Sequence, residues 1–235
     1  MTNHRLSETA TGHLQFLCER TGGRSVGSPG NIMAADYIRT VFERNGWRVE
    51  QQSFDAFDWK SEGAFIVAGD LELQVRSSPY SEPCEVEAEV LVASSPGDLE
   101  KLDARNKILI LKEELCMEQL MPKNFIFYNP DHHRQIVALL EQTGAAALVF
   151  IVPDTGKYEG GEYPFPVIED GDFHIPSVYL TGEEGSRLQE TGSKRMKVTS
   201  KTRKKPAPGS NVIGRKGSEK AKRITITAHL DAKKG

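Results

Sequence analysis

The sequence predicts an α/β protein in which a β-rich module separates two parts of an α/β domain. Three observations predict this organisation. Two helical patterns and a strand pattern open the chain, within residues 7–51. Continuous apolar runs at residues 107–111 and 145–151 flank an amphipathic helical pattern, as is typical of buried parallel strands. An alternating pattern at residues 224–231 then predicts a further strand after the β-rich part.

The composition is that of an ordinary globular protein. Its 235 residues are enough for one large domain or two smaller ones. A net charge of −3 gives no overall reason to expect nucleic acid or an anionic membrane as a partner. No apolar run reaches the roughly 20 residues that a membrane-spanning helix needs, and the first residues lack the apolar core of a signal peptide. We therefore expect a cytoplasmic protein whose three cysteines are reduced, structural thiols.

The first predicted helix, residues 7–20, ends before a glycine pair that favours a helix end. Leu14, Leu17 and Cys18 recur at helical spacing and predict one apolar stripe. A phosphate-binding loop is the alternative interpretation of residues 23–27. No strand precedes this loop and neither phosphate-loop motif is present, so we predict a turn between two helices.

A second helix is predicted to begin at Ser28-Pro29, a serine N-cap followed by proline at the first helical position. The helix ends at Asn45-Gly46, and residues 47–51 then alternate as a strand. Its predicted apolar face consists of Ala34, Ala35, Ile38, Val41 and Phe42.

The middle of the chain, from about residue 59 to residue 200, predicts many short strands separated by turns. Gly69-Asp70 favours a tight hairpin between residues 65–68 and residues 71–75. Residues 86–92 alternate between apolar and polar side chains and predict another strand.

A strand, helix, strand order follows the hairpin. Residues 107–111 and 145–151 predict buried strands, and residues 131–142 predict the helix between them. This order implies a right-handed crossover between parallel neighbours. Residues 175–180 add a third strand, and a short helix is predicted at residues 181–188.

Seven basic residues lie between Lys194 and Lys205. A nucleic-acid-binding patch is one interpretation, but no aromatic residues are interleaved and two prolines follow at once. We therefore predict a solvated strand and linker. Residues 210–214 resume a strand pattern, which we expect to pair with residues 224–231 across a polar loop.

Three further clusters contain chemically reactive residue types but favour a structural interpretation. Asp131 is expected to cap the predicted helix, with His132 and His133 solvated beside it. Residues 169–174 lack the spacing of a calcium-binding loop and predict an acidic surface loop. Cys116 lies among acidic residues that disfavour a thiolate, so we expect it to pack in the core.

Three groups of segments follow one another in a recognisable order. The first is Gly-Arg-Ser-Val-Gly-Ser-Pro-Gly at residues 23–30, with residues 34–38 and 42–47. The second joins residues 107–111, 143–147 and 175–178, and the third joins residues 210–214 to Thr-Ala-His-Leu-Asp at residues 227–231. Over nearly the whole chain, this order resembles the zinc-dependent aminopeptidases of metallopeptidase family 28 that contain a protease-associated (PA) domain insert.

The resemblance implies a partial zinc-peptidase-type α/β domain, built of N-terminal helices and first strands and interrupted by a β-rich, PA-like α/β insert. Residues 1–58 would form the helical part of the peptidase-type domain, and residues 59–206 the PA-like insert. Residues 207–235 would return to the peptidase-type domain. The resemblance also implies an N-terminal portion, truncated after the first metal-ligand strand, of an enzyme that removes N-terminal residues from peptides with two zinc ions.

The resemblance assigns two site residues at residues 227–231. His229 would bind one zinc ion, and Asp231, the one assigned catalytic residue, would orient His229 by accepting its imidazole N–H. The family's other ligands and its general base have no counterpart in this sequence. A single histidine cannot hold zinc, which needs three or four protein ligands. We therefore expect no stable zinc binding and no activity from this stretch alone.

A non-enzymatic PA-type module that binds peptides or proteins is the alternative function. The pair of His229 and Asp231 favours the enzyme, and the missing ligands favour the module. The expected partners are a peptide substrate and a protein bound by the PA-like domain, with no nucleic acid and no membrane. An apolar edge at residues 224–228 also predicts a homodimer through the last strand.

Overall fold

The computed structural model describes residues 2–153 and 166–232. The chain divides into two compact units. The terminal unit consists of Met1–Asp58 and Lys205–Gly235, and the middle unit is Trp59–Lys204. Within the described ranges, no helix is both long enough and apolar enough to cross a membrane.

The terminal unit opens with two helices. Helix α1 is Thr2–Gln15 and continues as a π-helical turn, Phe16–Arg20. Helix α2 is Pro29–Arg44, and the Ser28 Oγ atom accepts a hydrogen bond from the Asn31 N–H, which confirms the predicted N-cap. Of the apolar face predicted for α2, Ala34 and Ala35 are fully buried, whereas its other three members are half-buried.

The apolar stripe predicted for the first helix is wrong, because Leu14 and Cys18 are exposed. The helix packs through a different stripe. The Phe16 ring stacks on Tyr37 of α2 at 3.8 Å between centroids, and the His13 Nδ1 atom lies 2.7 Å from the Tyr37 hydroxyl. His13 and Phe16 are three residues apart and share one helix face. A helical period predicts that one face is buried, but the neighbouring element selects which face.

Among the described residues, seven strands and three further helices complete the fold. The strands are β1 (Arg48–Ala68), β2 (Leu71–Ser77), β3 (Cys84–Ala93), β4 (Ile108–Leu111), β5 (Ala147–Val152), β6 (Ser177–Thr181) and β7 (Arg195–Arg215). The helices are α3 (Pro96–Leu99), α4 (Asp131–Gln142) and α5 (Gly182–Glu190), and a 3₁₀ turn occupies Glu113–Cys116. The mixed α/β class predicted from the sequence is therefore confirmed.

The strands close into a barrel in the order β1-β2-β6-β5-β4-β3-β7. Strands β1 and β2 form the predicted hairpin across Gly69-Asp70, with Ala68 opposite Leu71. Strands β3, β4, β5 and β6 pair in parallel, and α4 connects β4 to β5 as the predicted crossover. Strand β2 pairs antiparallel with β6, and β3 with β7.

Two apolar clusters line the two faces of the parallel strands. Ile108 and Ile110 contribute to one cluster, and Leu109 and Leu111 contribute to the other, which also contains the apolar face of α4. Strand β4 is therefore buried on both faces, as its continuous apolar run predicts.

Strand β7 runs without interruption through the basic stretch, where the sequence predicts a short strand and then a linker. Its buried side chains alternate at Met196, Val198 and Ser200, and most of the basic residues of the stretch lie at the alternate, odd-numbered positions. Pro206 and Pro208 are two residues apart, so their missing N–H groups fall on the same edge of the strand. The opposite edge keeps its donors, and the strand continues.

Candidate functional site

The segment that contains His229 is not part of a sheet. Residues 222–232 have no regular secondary structure, and Ile224 and Ile226 are 93% and 90% exposed. The prediction of a strand at residues 224–231, paired with residues 210–214, is therefore wrong. Alternation favours an extended backbone locally, but a strand also requires a neighbour that supplies its hydrogen bonds.

Arg24 holds this segment in the terminal unit. The Arg24 N–H donates to the Ala232 carbonyl at 3.2 Å, and the Ala232 N–H donates to the Arg24 carbonyl at 3.3 Å. The Arg24 Nε–H donates to the Leu230 carbonyl at 3.1 Å, and its Nη1 donates to the Leu17 carbonyl. The predicted inter-helix turn therefore also anchors the segment that contains His229.

The sequence patterns predict no role for Arg24. A signal was nevertheless present, because Arg24 lies in the first of the segments that carry the family resemblance. The turn around it is also tightly packed. The Asn31 side chain donates to the Arg24 carbonyl at 3.3 Å, and a β-carbon on Gly30 would lie 2.3 Å from the Gly23 carbonyl oxygen. A five-donor guanidinium suits such a junction, because it can reach several carbonyls at once.

The two predicted site residues contact one another. The His229 Nδ1 atom lies 3.3 Å from an Asp231 carboxylate oxygen, and the His229 side chain is 91% exposed. When Nδ1 carries the proton, it donates to Asp231 and leaves the Nε2 lone pair free for a metal ion. In the described part of the chain, His229 belongs to no group of three metal-ligand side chains. Among the described residues, this segment therefore supplies a histidine in contact with a carboxylate, and no complete zinc site.

A second cluster of ligand-type side chains lies in the middle unit. The Nε2 atoms of His132 and His133 lie 2.9 Å and 3.2 Å from one carboxylate oxygen of Glu118. The hydrogen bond from His132 is the main cause that lowers the pKa of Glu118 below its ordinary value. His133 is fully buried, so the prediction that both histidines are solvated is wrong for this residue. Asp131 is not the cap either, because Pro130 occupies the N-cap position.

The hydrogen bonds of His133 disfavour a metal at this cluster. Its Nδ1 atom accepts the Met121 N–H at 3.2 Å, so the proton of the neutral ring lies on Nε2 and faces Glu118. A metal bound at Nε2 would move that proton to Nδ1, against the Met121 N–H. The Nε2–H is close to Glu118 but poorly aligned with it, which leaves this buried group incompletely satisfied. The cluster is therefore a hydrogen-bonded network, not a zinc site.

The remaining sequence-predicted clusters have structural roles. Cys116 is buried and donates to the Leu111 carbonyl, and burial raises the pKa of its thiol far above the ordinary range. The prediction of core packing is confirmed. Asp170, in the predicted acidic surface loop, is instead buried. Its carboxylate accepts the N–H groups of Lys123 and Asp172, each at 2.8 Å, so it organises a turn.

Comparison with known proteins identifies aminopeptidases. No protein-family model matches the chain. Over 223 residues, the chain is 26% identical to the probable lipoprotein aminopeptidase LpqL of Mycobacterium tuberculosis, and the match covers 90% of this chain and 40% of that protein.

Three solved structures have the same fold. The aminopeptidase from Aneurinibacillus sp. strain AM-1 matches with a TM-score of 0.59 and 20% identity, over 89% of this chain and 48% of that one. BSAP, a zinc aminopeptidase from Bacillus subtilis, matches with 0.59 and 19%, over 90% and 47%. The peptidase M28 precursor from Shewanella amazonensis SB2B matches with 0.63 and 17%, over 93% and 53%.

The chain shares its fold with zinc aminopeptidases. The resemblance to zinc aminopeptidases is thereby confirmed, since the similar proteins are named as aminopeptidases or, in one case, as a peptidase M28 precursor. The PA-like nature of the insert stays a prediction. The chain spans about half the length of these proteins, or somewhat less.

Proposed function

We propose that this chain is part of a zinc aminopeptidase that hydrolyses N-terminal residues from peptides with two zinc ions. The observation that carries the proposal is the contact between His229 and Asp231 on the segment anchored by Arg24. The similarity to aminopeptidases in sequence and fold supports it. A PA-type module that only binds peptides or proteins does not require an imidazole oriented by a carboxylate.

Each of these side chains has a distinct part in the proposed site. His229 offers its Nε2 lone pair to one metal ion. Asp231 accepts the Nδ1 proton, which fixes the tautomer and makes the imidazole a stronger ligand. Arg24 holds the backbone on both sides of Asp231, through Leu230 and Ala232. Zinc bound in a complete site would lower the pKa of a water molecule and polarise the scissile carbonyl.

The experiment uses the protein expressed from its native gene, assayed with leucine p-nitroanilide. We expect hydrolysis that a zinc chelator abolishes and added zinc restores. His229→Ala should decrease the rate of hydrolysis more than about 1,000-fold, because a direct zinc ligand is lost. Asp231→Asn should cost about 10- to 100-fold, as is typical for a group that orients a metal ligand. His132→Ala is the matched control, since that exposed histidine lies outside the proposed site.

Two outcomes would contradict the proposal. Activity that is insensitive to chelators would exclude zinc chemistry. Equal effects of His229→Ala and His132→Ala would show that His229 has no special part. We further propose that the 235-residue stretch by itself binds zinc only weakly and is inactive, because one ligand does not hold the ion. Measurable zinc-dependent hydrolysis by that stretch would contradict this second statement.

A binding role of the middle unit is the second candidate. The unit has a closed barrel and its own apolar core, which is the organisation expected of a PA-type module that binds peptides or proteins. The middle unit would then bind without catalysis. The same assay separates the candidates, because a pure binding protein releases no p-nitroaniline at any zinc concentration.

A further inference from the structure

Four consecutive large apolar residues protrude from one loop of the middle unit. They are Phe125, Ile126, Phe127 and Tyr128, which we name the apolar tip. Their exposed fractions are 42%, 87%, 85% and 60%. Scattered exposed apolar residues are ordinary on protein surfaces, but a contiguous group marks an interaction site.

Hydrogen bonds hold the base of the loop in place, so the exposure does not come from a loosely held segment. The Lys123 N–H donates to Asp170 at 2.8 Å, and the Asn124 amide donates to Asp172 at 2.6 Å. The Asn129 amide donates to the Pro122 carbonyl at 3.1 Å, which closes the loop on itself. A preorganised tip loses little conformational entropy when it binds.

The size of the tip argues against a second copy of this chain as its occupant. At these exposed fractions the four side chains present roughly 500 Å² of surface. A stable protein–protein interface buries about 800 Å² on each partner. Ile126 and Phe127 also project into solvent instead of lining a groove. A small apolar surface that protrudes is better suited to insertion into a lipid layer.

The charges around the tip favour a neutral surface. The Lys123 ammonium lies 2.7 Å from the Glu141 carboxylate, and Arg134 is paired with Asp131. Each of these two cations is paired with a carboxylate, so neither is free to attract anionic phosphates. Tyr128 adds an amphipathic ring of the kind that is enriched where water meets hydrocarbon.

We propose that the apolar tip inserts into the interfacial layer of a zwitterionic lipid bilayer and docks the protein on a membrane surface. The interaction is superficial and reversible. Net charge and the lack of a spanning segment in the sequence predict no membrane partner. Neither property excludes docking by a four-residue loop, because such docking requires only a local apolar surface.

The test measures co-sedimentation of the full chain with phosphatidylcholine vesicles. We expect the wild-type chain to bind, with less than a twofold change in affinity between about 0.05 M and 0.5 M salt, because the contact is apolar. Each fully buried large apolar side chain contributes a factor of roughly 10 to 100 to such an equilibrium. The double variant Ile126→Ser/Phe127→Ser should therefore bind at least about 30-fold more weakly.

The chain offers a matched control for this variant. Ile224 and Ile226 are two isoleucines of similar exposure in the terminal unit. Ile224→Ser/Ile226→Ser should bind vesicles as the wild type does. Both double variants should keep the wild-type unfolding temperature, because all four side chains face solvent. A gain-of-signal variant, Ile126→Trp, should shift its fluorescence to the blue when vesicles are added.

Several outcomes would overturn the proposal. The first is no binding of the wild type to phosphatidylcholine. The second is equal loss in the two double variants, which would indicate unspecific adhesion. The third is binding that requires anionic lipid and disappears with salt. The fourth is a vesicle-free dimer that Ile126→Ser/Phe127→Ser abolishes, which would assign the tip to a second copy of the chain.

Discussion

Alanine at Gly30 should destabilise the terminal unit, although alanine is the better helix former. Gly30 is buried in the first turn of α2. A β-carbon at this position would lie 2.3 Å from the carbonyl oxygens of both Gly23 and Thr21. Both atoms belong to the backbone, so no side-chain rotation can relieve the contact. Either the helix or the preceding turn must move by roughly 1 Å to reach an ordinary contact distance.

The magnitude follows from two opposing terms. Replacing glycine by alanine within a helix ordinarily stabilises a protein by about 0.5–1 kcal/mol. Overpacking a tight site costs about 1–3 kcal/mol, and here two backbone atoms resist. We therefore expect Gly30→Ala to lower the free energy of unfolding by about 2 kcal/mol. Gly12→Ala is the matched control. It also lies in a helix, but no atom lies within 4 Å of the added carbon, so it should stabilise the protein.

The assay combines denaturant unfolding of the full chain with amide hydrogen exchange. Gly23 precedes Arg24, whose backbone pairs with Ala232. A displaced turn should therefore also accelerate exchange at the Arg24 and Ala232 amides. An unchanged or higher free energy of unfolding in Gly30→Ala would contradict the expected clash. A change of stability with the same sign in both glycine variants would contradict it as well.

The remaining predictions concern the middle unit and one cysteine of the terminal unit. Leu148→Ala, in the fully buried strand β5, should lower the free energy of unfolding by about 2–5 kcal/mol, and a loss below about 1 kcal/mol in denaturant titration would contradict its core position. Thr181→Ala removes the capping box of α5 and should cost about 1 kcal/mol in the same titration, whereas an unchanged midpoint would show that the cap is dispensable. Cys18 should react with a thiol reagent in the native state and Cys116 only after unfolding. Burial raises the pKa of the Cys116 thiol, so this thiol ionises at a lower pH in the unfolded chain than in the folded one. The contribution of Cys116 to the free energy of unfolding is therefore complete below about pH 9 and decreases at higher pH.

The parts of the fold that local chemistry determines could be predicted from the sequence. Helix α4 has the predicted bounds, Asp131–Gln142, because its apolar residues keep one helical face for its whole length. The N-cap at Ser28 depends on the serine hydroxyl and on the first turn that follows it. The hairpin at Gly69-Asp70 depends on the conformational freedom of two adjacent residues.

The parts that depend on a distant neighbour could not be predicted. The burial of His133 has a local signal, because the helical spacing places it on the buried face of α4 with Ile136, Val137 and Leu140. Its hydrogen bond from the Met121 N–H, twelve residues earlier, has none. Arg24 is a similar case, since its partners Leu230 and Ala232 lie more than 200 residues along the chain. A single sequence contains no signal for such pairings until a fold is assumed.

The alternating pattern at residues 224–231 makes one prediction that depends only on local structure and another that depends on a distant neighbour. Alternation predicts that His229 and Asp231 share a side, and this requires only an extended backbone. The contact is present without a sheet. The same alternation also predicts that Ile224 and Ile226 pack together, and this requires a neighbouring layer. Both isoleucines are exposed instead. The proposed part of His229 depends on the local prediction, so it does not fail with the strand.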